Sequence, residues 1–128
     1  MSIDRTIKAA IEPIVPVCLP NLYDPGDNEA RVSEYCTFNY SEVPASFGDD
    51  APMFVRYLVQ LHWYLPTGAN PSAMKQRIKK ALFGAGFTYP EVTNAGYSGE
   101  SSKSSQDHGG QHYVFECELA EGVDDGEL

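Results

Sequence analysis

The sequence predicts an α+β fold, a mainly antiparallel sheet with two helices packed on one face. Three observations carry that expectation. Residues 53–65, "MFVRYLVQLHWYL", alternate apolar with mixed side chains over a length that only a long strand accommodates. Two stretches, residues 2–12 and 73–86, place apolar residues at helical spacing. The order helix, strands, helix, strands lacks the regular alternation that builds a parallel sheet. With 128 residues the chain fits one domain, spanning residues 1–119, with an acidic tail at 120–128.

The first helix is read from Ser2, a capping residue, with Asp4 in the first turn and Ile3, Ile7, Ala10 and Ile11 along one face. Pro13 and Pro16 end it. "VPVCL" is a short extended piece, and "PNLYDPGDNEA" is a polar loop rich in turn formers. Residues 34–40, "EYCTFNY", form a strand with Cys36, Phe38 and Tyr40 on one face and Tyr35, Thr37 and Asn39 on the other. In the long strand, Met53, Val55, Tyr57, Val59, Leu61, Trp63 and Leu65 make a continuous apolar face. Phe54, Arg56, Leu58, Gln60, His62 and Tyr64 make the mixed one. After "PTGANPS", Ser72 caps a second helix whose Met74, Ile78, Ala81, Leu82 and Ala85 face the sheet. Its later cations suit the C-terminal dipole, and Gly84 and Gly86 stop it. "FTYPEVT" is a strand that Pro90 confines to an edge or a bulge. Residues 94–111 form a long Ser/Gly-rich loop, and "HYVFECEL" closes the sheet with Tyr113, Phe115, Cys117 and Leu119 on one face.

Composition narrows the function. A net charge of −9 argues against nucleic acid as a primary partner, since phosphate binding needs a surplus of Lys and Arg. The charge is uneven: "ECELAEGVDDGEL" holds Glu116, Glu118, Glu121, Asp124, Asp125 and Glu127 and no base, whereas "KQRIKK" concentrates Lys75, Arg77, Lys79 and Lys80. No run of eighteen apolar residues exists, so no membrane helix is expected, and the N-terminus lacks the apolar core of a secretory signal. The protein is expected to be made and kept in a cytoplasm. Cys18, Cys36 and Cys117 are widely spaced and odd in number, which reads as buried free thiols rather than a disulfide framework or a zinc pair.

The sequence carries no recognisable catalytic motif. In "FGDDAP", Asp49 and Asp50 are sequence neighbours, which in a strand point to opposite faces and do not converge on one substrate atom. Gly and Asp between strands are good turn chemistry, and no calcium-loop spacing surrounds them. His108 and His112 are four apart, but the paired glycines between them break the helix that would align two ligands. His62 lies on the mixed face of the long strand with no partner that the sequence can name. There is no nucleophile elbow, phosphate loop or dinucleotide fingerprint, so no cofactor is expected. The basic face of "KQRIKK" reads as a solvated helix face or as a protein interface.

The arrangement around the turn carries a resemblance. A strand closing in Tyr40, Glu42 and Pro44 is followed by Phe47, Gly48, Asp49 and Asp50, then by "RYLVQLHWYLPTG", a basic amphipathic helix, and Gly86 with Phe87. Over roughly residues 1–119 this order of features resembles the tail terminator and tail-completion (head–tail joining) proteins of long-tailed bacteriophages. The resemblance implies an α/β sandwich that assembles into a ring, typically a hexamer, in the tail or neck of a virion. The ring caps the tail-tube protein, ends its polymerisation and offers a surface to the head–tail connector protein. It carries no catalytic residues, and it makes Phe47, Asp49 and Asp50 a tip that touches the next subunit or the tube. A ring interface is heterologous, which a basic helix (Lys75, Arg77, Lys79, Lys80) meeting the acidic corner or tail of a neighbour would satisfy. The alternative is a monomeric or dimeric protein-binding module of a phage or mobile element that takes a partner strand at a sheet edge. A hydrolase using Asp49, Asp50 and His62 ranks last.

Overall fold

A computed structural model describes residues 2–23, 33–48, 51–97 and 110–122. In chain order the elements are α1 (Ile3–Ile11), β1 (Cys18–Pro20), β2 (Tyr35–Gly48), β3 (Ala51–Leu65), α2 (Ser72–Gly84), β4 (Glu91–Tyr97) and β5 (Gln111–Gly122). The five strands form one sheet in the order β1-β2-β3-β5-β4, so the fold is α+β. Only β1 runs parallel to its neighbour, and β2–β3, β3–β5 and β5–β4 are antiparallel.

Register explains the core. Cys36, Phe38 and Tyr40 of β2 stand opposite Trp63, Leu61 and Val59 of β3. Those three in turn stand opposite Tyr113, Phe115 and Cys117 of β5. Paired residues share a face, so alternation puts the apolar half of three strands on one side of the sheet. The buried Ile3, Ile7 and Ile11 of α1 and Ile78 and Leu82 of α2 belong to the same cluster as this face, and the two helices touch each other. Trp63 is fully buried, and its indole N–H donates to the Glu34 carboxylate at 2.8 Å, which removes the cost of hiding a polar group. All three cysteines are buried and free, as expected, and fill core positions.

Helix α1 starts as the sequence indicates, with the Ser2 hydroxyl accepting the Arg5 amide at 3.4 Å. The expected cap of α2 is different. Pro71 is its N-cap, Ser72 is already helical, and the Ser72 amide donates to the Asn70 side chain at 3.0 Å. Pro is suited to a helix start, where no intrahelical donor is required. The expected pairing of cations with the C-terminal dipole also fails, because Lys79 and Lys80 fall before the last turn of a helix that ends at Gly84, and that turn holds no base. The stop itself is as read. Gly86 takes a φ of 108°, its amide donates to the Phe83 carbonyl, and the Phe87 amide donates to that of Leu82. This double closure needs a left-handed residue, and burial of Phe87 beside Leu82 seals it.

Three strand boundaries differ from expectation. β2 does not end near Tyr40 but continues to Gly48, passing through Pro44. Beyond Phe38 this strand has no β1 partner, and an edge tolerates a residue without an N–H. β4 begins after Pro90 and extends through Asn94 to Tyr97, so the long loop expected from residue 94 starts later. β5 continues through Ala120, Glu121 and Gly122, opposite Arg56, Val55 and Phe54, so the acidic tail expected from residue 120 begins in the sheet. Its remainder, residues 123–128, lies outside the described residues.

Candidate interaction surfaces

The sheet is not a rectangle. β1 covers β2 only up to Phe38, and the β4 ladder on β5 ends at Glu116, beyond which the Thr88 amide donates to the Glu118 carbonyl and the Glu118 amide to the Thr88 hydroxyl. Past these points β2, β3 and β5 run on as a three-stranded arm. Its β2 edge extends from Asn39 to Gly48, roughly 30 Å at the usual rise per residue. Gly48 pairs with Ala51 at its end. The base of the arm is fastened to α1, because the Tyr40 hydroxyl donates to Asp4 and packs edge-on against Tyr57 at 5.9 Å. That hydrogen bond, burial and the nearby Asp4 charge push the Tyr40 phenol up to about 12.

Of the sequence-predicted tip residues, only Phe47 is among the described residues. Phe47 lies in β2 opposite Pro52, while Asp49 and Asp50 lie outside the described residues. His62, which the hydrolase reading joined to them, is some 35 Å further along β3 from Ala51 at the usual strand rise. His108 also lies outside the described residues.

The face of the sheet opposite the core is polar and aromatic. His62 and His112 stand on β3 and β5, diagonal to one another, with His62 Nδ1 and His112 Nε2 2.9 Å apart. Tyr64 stacks on His112 at 4.2 Å, Tyr35 stacks on Tyr64 at 4.8 Å, and Tyr23 tilts against Tyr35 at 4.6 Å. The partner of His62 is therefore fifty positions away in the chain. Alternation places both histidines on the mixed face, but only the β3–β5 register brings them together. Burial pulls the His62 imidazole below its ordinary value, and the charge of Glu116 opposes that shift. Among the described residues no group of three or more His, Cys, Asp or Glu side chains is placed to hold a metal.

Further along this face Gln60 donates to Glu116 at 3.3 Å, and Arg56 reaches Glu118 at 3.2 Å. Gln60, Glu116 and Glu118 border a concavity of about 740 Å³ whose lining also includes Leu58, Tyr89 and Glu91. Sequence reasoning missed it. Glu91, Glu116 and Glu118 come from two strands, and it is register that sets Glu91 opposite Glu116.

The basic residues of α2 divide into three groups. Lys75 lies over the Tyr113 ring at 4.9 Å, Lys79 over the Tyr89 ring at 5.9 Å, and Arg77 and Lys80 are exposed. No salt bridge among the described residues engages any of the four. No helix among them is long and apolar enough to cross a membrane.

No family model matches the chain, and no curated protein matches it.

Proposed function

We propose that this chain is a structural assembly protein of the tail-terminator kind. It forms a ring, hexameric in the reading the sequence supports, that caps a phage tail tube, ends its growth and meets the head–tail connector. It works in the neck of the virion after synthesis in the host cytoplasm, without a catalytic step. The observation that carries the reading is the three-stranded arm. A long hairpin extended past its flanking strands adds little to the core it leaves behind, whereas it gives a subunit reach toward a neighbour. Among the described residues the β2 edge along it is bare, the kind of surface that proteins normally cover or keep very short. The split between a basic helix and an acidic sheet supports contact between unlike surfaces, as a closed ring requires.

The test is mass in solution by light scattering behind a sizing column, from micromolar to near-millimolar protein. The reading expects a hexamer-sized species that grows with concentration, and binding to purified tail-tube protein. A chain that stays monomeric across that range and ignores tube protein overturns it. The same bare edge favours a second reading, a monomeric or dimeric module that adds a partner's extended segment to β2. That reading expects a small constant mass together with capture of a β-strand peptide.

A further inference from the structure

If copies of the chain assemble as proposed above, two of its surfaces must meet. The exposed crest of α2 combines charge with apolar area. Lys79 and Lys80 lie beside Phe83, which is 58% exposed and packs edge-on against Tyr89, itself 48% exposed. Large aromatic rings left in water are unusual in a chain whose core is otherwise well filled, and they are favoured anchors at interfaces. The concavity on the polar face has the opposite character. Leu58, 37% exposed, lies in it, and Glu91, Glu116 and Glu118 surround it. Arg56 pairs with Glu118, and among the described residues no cation pairs with Glu91 or Glu116.

We propose that the α2 crest of one copy, Lys79, Lys80 and Phe83, seats in the Leu58–Glu91–Glu116 concavity of a second copy of this chain. The occupant is a second copy because the chain carries both halves and they match in charge and in apolar character. Within one chain no ion pair among the described residues joins them. Tyr89 stands at the rim between them, and Lys79 lies over its ring without an ion pair to Glu91. Patches on different layers of the same molecule make a heterologous contact, which propagates from copy to copy and closes when the rotation allows. In this contact Phe83 against Leu58 supplies the desolvated anchor. The lysine–glutamate pairs set register and encounter rate, and salt weakens them.

The experiment uses two reversed full-length chains, Lys79→Glu/Lys80→Glu and Glu91→Lys/Glu116→Lys. Circular dichroism first confirms that both are folded, and light scattering at low and high salt then reads their mass beside the wild type. Each reversed chain alone is expected to need at least about tenfold more protein to assemble, because like charges face each other across the contact. An equimolar mixture is expected to recover wild-type assembly, since each chain then meets its complement. Phe83→Ser provides a variant that leaves charge unchanged and is expected to weaken assembly at every salt concentration. If the wild type assembles and both reversed chains match it, the contact is wrong while the ring stands. Loss without recovery in the mixture also overturns the pairing. A wild type that stays monomeric throughout, both alone and with tail-tube protein, removes both the contact and the ring.

Discussion

Tyr40 shows how one side chain joins layers. Its ring belongs to β2, its neighbour Tyr57 to β3, and its hydroxyl bonds to Asp4 in the first turn of α1. Tyr40→Phe is expected to destabilise the fold by about 1 kcal/mol in urea titrations, the usual net worth of such a bond. Because the folded phenol sits at about 12, above its ordinary 10, the unfolded chain ionises first. Stability from this group is therefore complete below pH 10 and declines as pH rises toward 12, a decline that the Phe variant lacks. His62 has the opposite sign. Burial lowers its proton affinity in the folded state, so its contribution is full above about pH 6.5 and is lost as pH falls through the lowered value. His62→Gln is expected to flatten the acid side of a pH–stability curve. The thiols report burial directly: Cys18 and Cys117 are pushed up to about 12, and Cys36 well above its ordinary value, all chiefly by desolvation. Iodoacetamide at pH 8 is expected to label none of them in the folded protein and all three after denaturation.

At the scale of elements, what the sequence reveals depends on whether the signal is periodic or a boundary. The faces of β3 and α1 follow from alternation and helical spacing, because each residue's burial is set by its own position in a regular repeat. The ends of β2, β4 and β5 do not. Pro44 suggests a break, yet β2 passes through it because an edge asks for fewer backbone donors. Ser72 looks like a cap, yet Asn70 takes that role toward its amide and the helix begins one residue earlier in the count. The His62–His112 contact and the acidic concavity depend on register between strands far apart in the chain, which no local pattern encodes. The closure of α2 is the most legible local device. Gly86→Ala meets only ordinary contact, with Leu119 Cδ1 3.5 Å away, so its cost arises from the positive φ. A loss of about 1 kcal/mol in thermal or urea unfolding is expected, without loss of the fold.

For the molecule as a whole, the sheet has a guarded centre and a lightly held end. β3 is paired on both sides, and its residues 59–65 lie against the core, whereas among the described residues the far half of β2 is paired on one side only. Hydrogen exchange is expected to protect amides of residues 59–65 most, and those of β2 beyond Ser41 markedly less, since opening an edge exposes little apolar surface. Binding along the arm is expected to narrow that gap, so the same measurement on the assembled protein locates the contact. The strand order also bears on how the chain reaches this state. β5 lies between β3 and β4, so β4 has no sheet partner until β5 has been synthesised, and Phe115 and Tyr113 reach the core only with it. Helix α1 and β1, made first, wait for apolar partners encoded later in the message. Translation therefore delivers an incomplete platform, and the basic helix and acidic concavity acquire their final shape only once β5 is in place. In the assembly proposed above, a nascent chain is thus expected to accept no finished copy at its concavity before it has folded.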